Sequence, residues 1–346
     1  MNSIHTRLVK IEDIQKDTPE ILLAAETLRR GGLVALPTET VYGIAANALN
    51  PEAVAKIFVA KGRPPDNPLI VHIAGWEQLE PLVSAIPPGA EALARAFWPG
   101  PLTMVLPKSP RVPYVVSGGL ETVAVRMPSH PCAREIIARS GLPVAAPSAN
   151  LSGRPSPTTA SHCMTDLDGK VELVVDGGAC AVGVESTVVT LADSPPRLLR
   201  PGAVTLAHLR RVLGEVEVDP AVSREAEAGA VVSSPGMKYK HYAPKAQVVL
   251  VNGPVERFCQ MLEREAAPGV FGLVFDEDLG RMPVPSISYG PEGDSAAQAR
   301  NVFAALRELD DRGARRVYAR APLQDGVGMA VYNRLIRAAG FTEITV

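Results

Sequence analysis

Short apolar runs separated by amphipathic stretches set the pattern of the first two-thirds of this chain. Leu33-Val34-Ala35-Leu36 and Leu69-Ile70-Val71-His72-Ile73 read as strands. So do Met104-Val105-Leu106, Val123-Ala124-Val125, Leu173-Val174-Val175 and Val188-Val189-Thr190-Leu191. Helix signals lie between them. Thr18-Pro19-Glu20 offers a hydroxyl cap, a proline at the first position and an acid in the first turn. Arg29-Arg30-Gly31-Gly32 closes that helix with cations on its negative end and glycine beyond. Asn50-Pro51-Glu52 opens a second helix by the same chemistry, running toward Lys61.

The pattern breaks from about Asp219 to Lys245. An Ala, Gly, Ser and Glu-rich stretch reads as flexible linker. It leads into Ser233-Ser234-Pro235-Gly236-Met237-Lys238-Tyr239-Lys240-His241-Tyr242-Ala243-Pro244, too aromatic and basic for a plain spacer. Gln247 to Val251 then starts a fresh alternation. Helices are expected near Val255–Glu265, Ser295–Leu309 and Val331–Ala339, and strands near Val270–Phe275 and Arg316–Ala319. The expected architecture is α/β: a twisted sheet with flanking helices over 1–215, a linker or lid over 216–245, and a smaller Rossmann-like α/β domain over 246–346.

At 346 residues, with 46% hydrophobic and 21% charged residues, the composition is that of a folded globular chain. The net charge of -2 supplies no general attraction for nucleic acid, so any basic cluster is a local feature. Cys132, Cys163, Cys180 and Cys259 are widely spaced with no CxxC pair, which argues against zinc and for reduced thiols in the cytoplasm. Met1 to Asp17 lacks an apolar core for a signal peptide, and no apolar run approaches the ~20 residues of a membrane helix.

Basic and hydroxyl residues fall just beyond the strand-like runs: Thr38-Glu39-Thr40, Lys61-Gly62-Arg63-Pro64, Thr122 to Arg126, Ser148-Ala149-Asn150 and Arg200-Pro201-Gly202. Such donors suit an anionic ligand, and α/β sheets gather ligands at strand ends. Pro64, Pro65 and Pro68, on both sides of the turn that follows Lys61 and Arg63, stiffen it; a solvated helix terminus is the alternative. Arg126 ends a buried strand, where it must be paired, either in a structural salt bridge or with a carboxylate or phosphate. Thr122, four residues earlier, shares its face. His72 is either a satisfied core histidine or a donor to an anion. The chain holds no phosphate loop of the GxxxxGK type, no GxGxxG fingerprint and no GxSxG elbow.

Lys61-Gly62-Arg63-Pro64, Pro147-Ser148-Ala149-Asn150 and Ser233 to Pro244 resemble the YrdC-type threonylcarbamoyl-AMP synthases, in their long two-domain form. The resemblance implies a YrdC-like sheet and a nucleotidyltransfer reaction. L-threonine, bicarbonate and ATP would give threonylcarbamoyl-AMP and pyrophosphate, for handover to a tRNA threonylcarbamoyl-transferase complex. It implies that Thr40, His72, Arg126, Ala146 and Ser186 hold threonine, with His72 toward the phosphates. It further implies that Lys61, Arg63, Asn67, Thr122, Ser148, Asn150, Ser156, Arg200 and Tyr242 hold ATP, with His241 and Lys240 near Tyr242. Mg²⁺ would ride on the phosphates, with no metal site in the chain itself. An RNA-binding module and a carbamoyl transferase are the competing readings. The first is opposed by the charge balance, the second by the absence of zinc-finger and acylphosphatase regions.

Overall fold

The computed structural model describes residues 4–224 and 241–346. The basic half of the linker signature, from Ser233 to Lys240, lies outside the described residues. Among those described, sixteen strands form two sheets. Eleven belong to the first: β1 (Arg7–Lys10), β2 (Val34–Leu36), β3 (Gly43–Asn47), β4 (Ile70–His72), β5 (Leu102–Pro107), β6 (Thr122–Arg126), β7 (Val144–Ala145), β8 (Leu173–Asp176), β9 (Thr187–Thr190), β10 (Arg197–Arg200) and β11 (Glu217–Val218). Their order is β1-β8-β2-β3-β7-β4-β6-β5-β9-β10-β11. The second sheet comprises β12 (Gln247–Asn252), β13 (Val270–Val274), β14 (Ser286–Ser288), β15 (Arg316–Arg320) and β16 (Glu343–Thr345), ordered β14-β13-β15-β12-β16 and parallel throughout.

The helices are α1 (Thr18–Arg29), α2 (Pro51–Lys61), α3 (Ala90–Phe97), α4 (Tyr114–Ser117), α5 (Pro131–Ser140), α6 (Ala160–Leu167), α7 (Leu206–Leu213), α8 (Val255–Glu265), α9 (Ser295–Asp311) and α10 (Gly328–Ala338). α2 starts as its sequence dictates. Asn50 accepts from the amides of Glu52 (3.0 Å) and Ala53 (3.2 Å), and Gly62 ends the helix at φ +61°. That left-handed turn, cheap for glycine, sends the chain from Lys61 to Arg63 toward the sheet. The start of α1 differs from expectation. Thr18 is its first helical residue and Asp17 stands at the cap position. The Asp17 carboxylate is engaged by the amides of Glu12 (2.7 Å) and Asp13 (3.0 Å), so it caps the preceding turn instead of the helix.

The first sheet is mixed. β4 runs parallel to β6 but antiparallel to β7, and β5 is antiparallel to β6 and parallel to β9. Strand ends of both polarities therefore meet along its middle. The sheet also continues through β11, inside the segment the sequence assigns to the linker. The core of the second domain takes in Val41 and Val184, which belong to loops of the first. Asp166 of α6, fully buried, receives Arg307 of α9 at 2.8 Å, and the two domains are fastened by this pair as well.

Candidate active site

A small, partly open cavity of about 60 Å³ lies over the middle of the first sheet. Sequence reasoning placed the ligand beyond carboxyl ends of strands. The structure places the cavity across a face instead. Ile70 and His72, alternate residues of β4, both line it, and His72 pairs in register with Arg126 of β6. In a mixed sheet, donors from either kind of strand end reach the same patch.

The turn after β2 is fixed by Thr38, whose hydroxyl donates to the Val41 carbonyl (2.6 Å). This aims Thr40 inward, and its oxygen accepts from Arg126 Nη1 at 2.8 Å. Arg126 Nε donates to the Gly100 carbonyl at 3.2 Å. The third contact is less complete. Arg126 Nη2 lies 2.7 Å from Glu39 Oε1, yet neither atom makes a directed hydrogen bond. We read the contact as ionic, because the N–H does not point at the oxygen. The buried guanidinium is thus paired with Glu39, and its planar fork also suits an incoming carboxylate. Burial alone would raise the Glu39 carboxyl, but Arg126 outweighs it and holds the group below its usual range. Burial, and then Arg126, pushes His72 down to about 3. The imidazole is therefore neutral, with Nδ1 lacking a hydrogen-bond partner. It can offer one donor or one acceptor but no charge.

On the α2 side, Arg63 lines the cavity while its Nη2 donates to the carbonyls of Asn67 (3.1 Å) and Pro68 (3.2 Å). Lys61 stands behind the wall. Its ammonium donates to the carbonyls of Ser148 and Asn150, the latter at 2.6 Å, and so holds the turn that presents Ser148. Burial, then the neighbouring Arg63, lowers Lys61 to about 7. Asn150 uses its amide on the Leu151 (2.7 Å) and Arg154 (2.9 Å) carbonyls. Thr122 shares the Arg126 face but lies ~13 Å along the strand. Carried two residues back, the β4–β6 register puts it beside Pro68 and the Asn67 turn.

Opposite stand Ser186 and Arg200. Arg200 donates to the Ser186 carbonyl (3.0 Å) and hydroxyl (3.1 Å), and Thr103 meets that hydroxyl at 2.8 Å. Glu185, also lining the cavity, takes the Ser156 hydroxyl on one oxygen and Arg334 Nε on the other at 2.7 Å. Ala146 and Tyr242 complete the wall. Tyr242 adopts φ +64° and packs on Phe303 of α9 with ring centroids 5.3 Å apart.

Of the residues singled out from sequence, Thr40, Arg63, His72, Arg126, Ala146, Ser148, Ser186, Arg200 and Tyr242 thus converge on one cavity. Lys61, Asn150 and Ser156 support its walls, and Asn67 and Thr122 lie farther along the same face. Glu39, Glu185 and Arg334 were not singled out. Only Thr38-Glu39-Thr40 hinted at the first of them.

Three cavity-lining arginines, flanking hydroxyls and carboxylates already engaged by arginines define an α/β enzyme site that aligns anionic substrates. Its strength is charge neutralisation, not a nucleophile with its base. Two family models cover nearly the whole chain. Sua5_yciO_yrdC, described as "Telomere recombination", matches residues 26–202, and Sua5_C, described as "Threonylcarbamoyl-AMP synthase, C-terminal domain", matches residues 204–340. The chain belongs to this Sua5/YciO/YrdC family, in its form with the Sua5 C-terminal domain. It is 49% identical over 334 residues to the threonylcarbamoyl-AMP synthase of Pyrococcus abyssi, covering 94% of this chain and 96% of the relative. It is 46% identical over 333 residues to the Bacillus subtilis protein of that name, covering 95% of each. A solved structure of P. abyssi Sua5 complexed with L-threonine superposes with a TM-score of 0.89 at 46% identity, covering 99% of each chain.

Proposed function

We propose that this chain is an L-threonylcarbamoyladenylate synthase, forming threonylcarbamoyl-AMP and pyrophosphate from L-threonine, bicarbonate and ATP. The observation that carries this reading is Arg126: a buried guanidinium held by Thr40 and Glu39, lining one cavity with Arg63, Ser186 and Arg200. Threonine's carboxylate pairs with Arg126, with Thr40, His72, Ala146 and Ser186 around it. ATP takes the Arg63, Ser148 and Arg200 side and runs over the sheet face toward Asn67 and Thr122. Lys61, Asn150 and Ser156 hold the turns it meets, and Tyr242 closes over it.

The amine of threonine adds to the carbon of CO₂ formed from bicarbonate by loss of hydroxide, and the proton the nitrogen sheds turns that hydroxide to water, leaving a carbamate. The carbamate oxygen attacks the α-phosphorus, and the bond to pyrophosphate breaks. A carbamate is already anionic, so this second step needs alignment and charge neutralisation more than a base. The arginines supply both. Among the described residues no His, Cys, Asp and Glu cluster suits a metal, and Glu39 and Glu185 are each engaged by an arginine. Mg²⁺ therefore fits as an ion carried on the triphosphate, where it neutralises charge. The labile product passes to a tRNA-modifying threonylcarbamoyl transferase.

The test is pyrophosphate release from the purified protein with ATP, bicarbonate and threonine, and with each omitted in turn. Release that needs all three is expected. Release without threonine, or salt-sensitive RNA binding with no release at all, would overturn the proposal.

A further inference from the structure

Arg334 lies in the middle of α10, in the second domain, with 0% of its surface exposed. A buried arginine that only fastened one domain to another would need an acceptor anywhere on the interface. This one instead divides its donors between two loops that form the cavity. Nε donates to Glu185 Oε2 at 2.7 Å and Nη2 to the Glu185 carbonyl at 3.2 Å. Nη1 donates to the Pro201 carbonyl at 3.0 Å, and Asn333 steadies that nitrogen at 2.9 Å. Glu185 precedes Ser186, and Pro201 follows Arg200. The guanidinium plane therefore spans the two backbone segments that meet in the cavity wall, where Arg200 donates to the Ser186 carbonyl at 3.0 Å and hydroxyl at 3.1 Å. Arg's rigid fork suits such bridging, which a lysine could not reproduce.

We propose that Arg334 is a positioning residue for the reaction: the second domain, through this one side chain, sets the charge and orientation of Glu185 and the spacing of Ser186 from Arg200. The inference rests on the synthase reading above. Glu185 lines the cavity and directly precedes Ser186, so its charge state bears on the field there. The charged and titratable groups facing it are Arg334 from α10, Arg200 from β10, Lys61 from α2, and His241 and Tyr242 from the segment preceding the second domain. Burial alone would raise the Glu185 carboxyl. Arg334 and then Arg200, with the Ser156 hydroxyl, outweigh that and hold it below its usual range. Without Arg334 the burial effect is opposed by less, and the carboxyl moves up toward neutrality.

The experiment uses the full chain and pyrophosphate release across pH 5.5 to 9. Arg334→Gln is expected to lose kcat/KM for threonine by about tenfold per pH unit below a new acid limb, with recovery at high pH. The double variant Arg334→Gln with Glu185→Gln is expected to lack that limb, since no carboxylate remains to titrate. Arg334→Lys, which keeps the charge and the fold, is expected to leave the limb where the parent has it and to raise KM more than it lowers kcat. Arg320→Gln breaks the buried Arg320–Asp278 pair (2.7 Å) inside the second domain, whose partners do not line the cavity, and is expected to lower the unfolding midpoint with the pH profile unchanged. A parent-like profile for Arg334→Gln, a limb that persists in the double variant, or the same limb in Arg320→Gln would each overturn the positioning role. An inactive parent enzyme would instead strike at the synthase reading, so the two failures are separable.

Discussion

Gly183 offers a sharp test of how tightly the second domain must sit for the cavity to keep its shape. It adopts φ +84°, and a Cβ there would stand 2.3 Å from Arg300 Cα and 2.4 Å from the Ala299 carbonyl oxygen of α9. Gly183→Ala therefore carries two costs. The left-handed backbone costs an L-residue ~1 kcal/mol. The second cost is steric, and because the opposing atoms are backbone, no rotamer change relieves it. Restoring ordinary contact at ~3.4 Å requires the loop and α9 to part by about 1 Å, and strain of that kind costs ~1–3 kcal/mol. The sum is ~2–4 kcal/mol. A parting of this size, passed to the Glu185–Arg334 contact of 2.7 Å, would stretch it beyond hydrogen-bond range. Gly119→Ala isolates the first cost: φ is +86° there and nothing lies within 4 Å. Urea unfolding should show about 1 kcal/mol lost in Gly119→Ala and two to four times that in Gly183→Ala, with pyrophosphate release falling only in the latter. Equal losses of stability, or full activity in Gly183→Ala, would refute the reasoning.

Four further outcomes are expected. Arg126→Ala should raise KM for threonine by roughly 10- to 100-fold, the worth of a charge-assisted hydrogen bond, and change ATP affinity less; Arg63→Ala should do the reverse, and equal losses in both would contradict the division of the site. Lys61, lowered to about 7 from 10.5, binds a proton less readily folded than unfolded, so stability should rise with pH between about 7 and 10; thermal melts of Lys61→Met should lose that slope. The same group should take up a proton when the triphosphate arrives, visible at pH 8 as a buffer-dependent binding enthalpy. Tyr242→Ala should weaken retention of the adenylate, seen as faster product loss to water with little change in threonine KM; unchanged nucleotide affinity and unchanged release would count against Tyr242 as a cover.

The legible elements were those whose physics is local. Apolar β-branched runs such as Val123-Ala124-Val125 announced their strands, and Asn50-Pro51-Glu52 announced α2 through its own hydrogen bonds. α8 occupies Val255–Glu265, as its periodicity indicated. β3 was missed because Gly43-Ile44-Ala45-Ala46-Asn47 is made mostly of small residues with weak strand preference, and its identity comes from its neighbours β2 and β7. Thr18 was misplaced by one residue because the competing acceptor, Asp17, is committed to the turn before it. The cations of the cavity were visible as a pattern, since each follows a strand or helix signal. Their counter-ions were not. Arg334 lies 149 residues from Glu185 inside an ordinary amphipathic helix, and nothing local marks it. Glu39 stood in a noticed motif, but only the fold sets it against Arg126.

Val41 and Val184, counted by sequence with the first domain, are buried in the core of the second. Cutting the chain in the linker would therefore leave two apolar side chains in water, each forfeiting ~1.5 kcal/mol or more, beside a cavity wall stripped of Arg334. A severed N-terminal half should be sticky as well as slow. Supplying residues 241–346 as a separate polypeptide should restore both solubility and turnover, with a half-saturating concentration that measures how strongly the halves belong together.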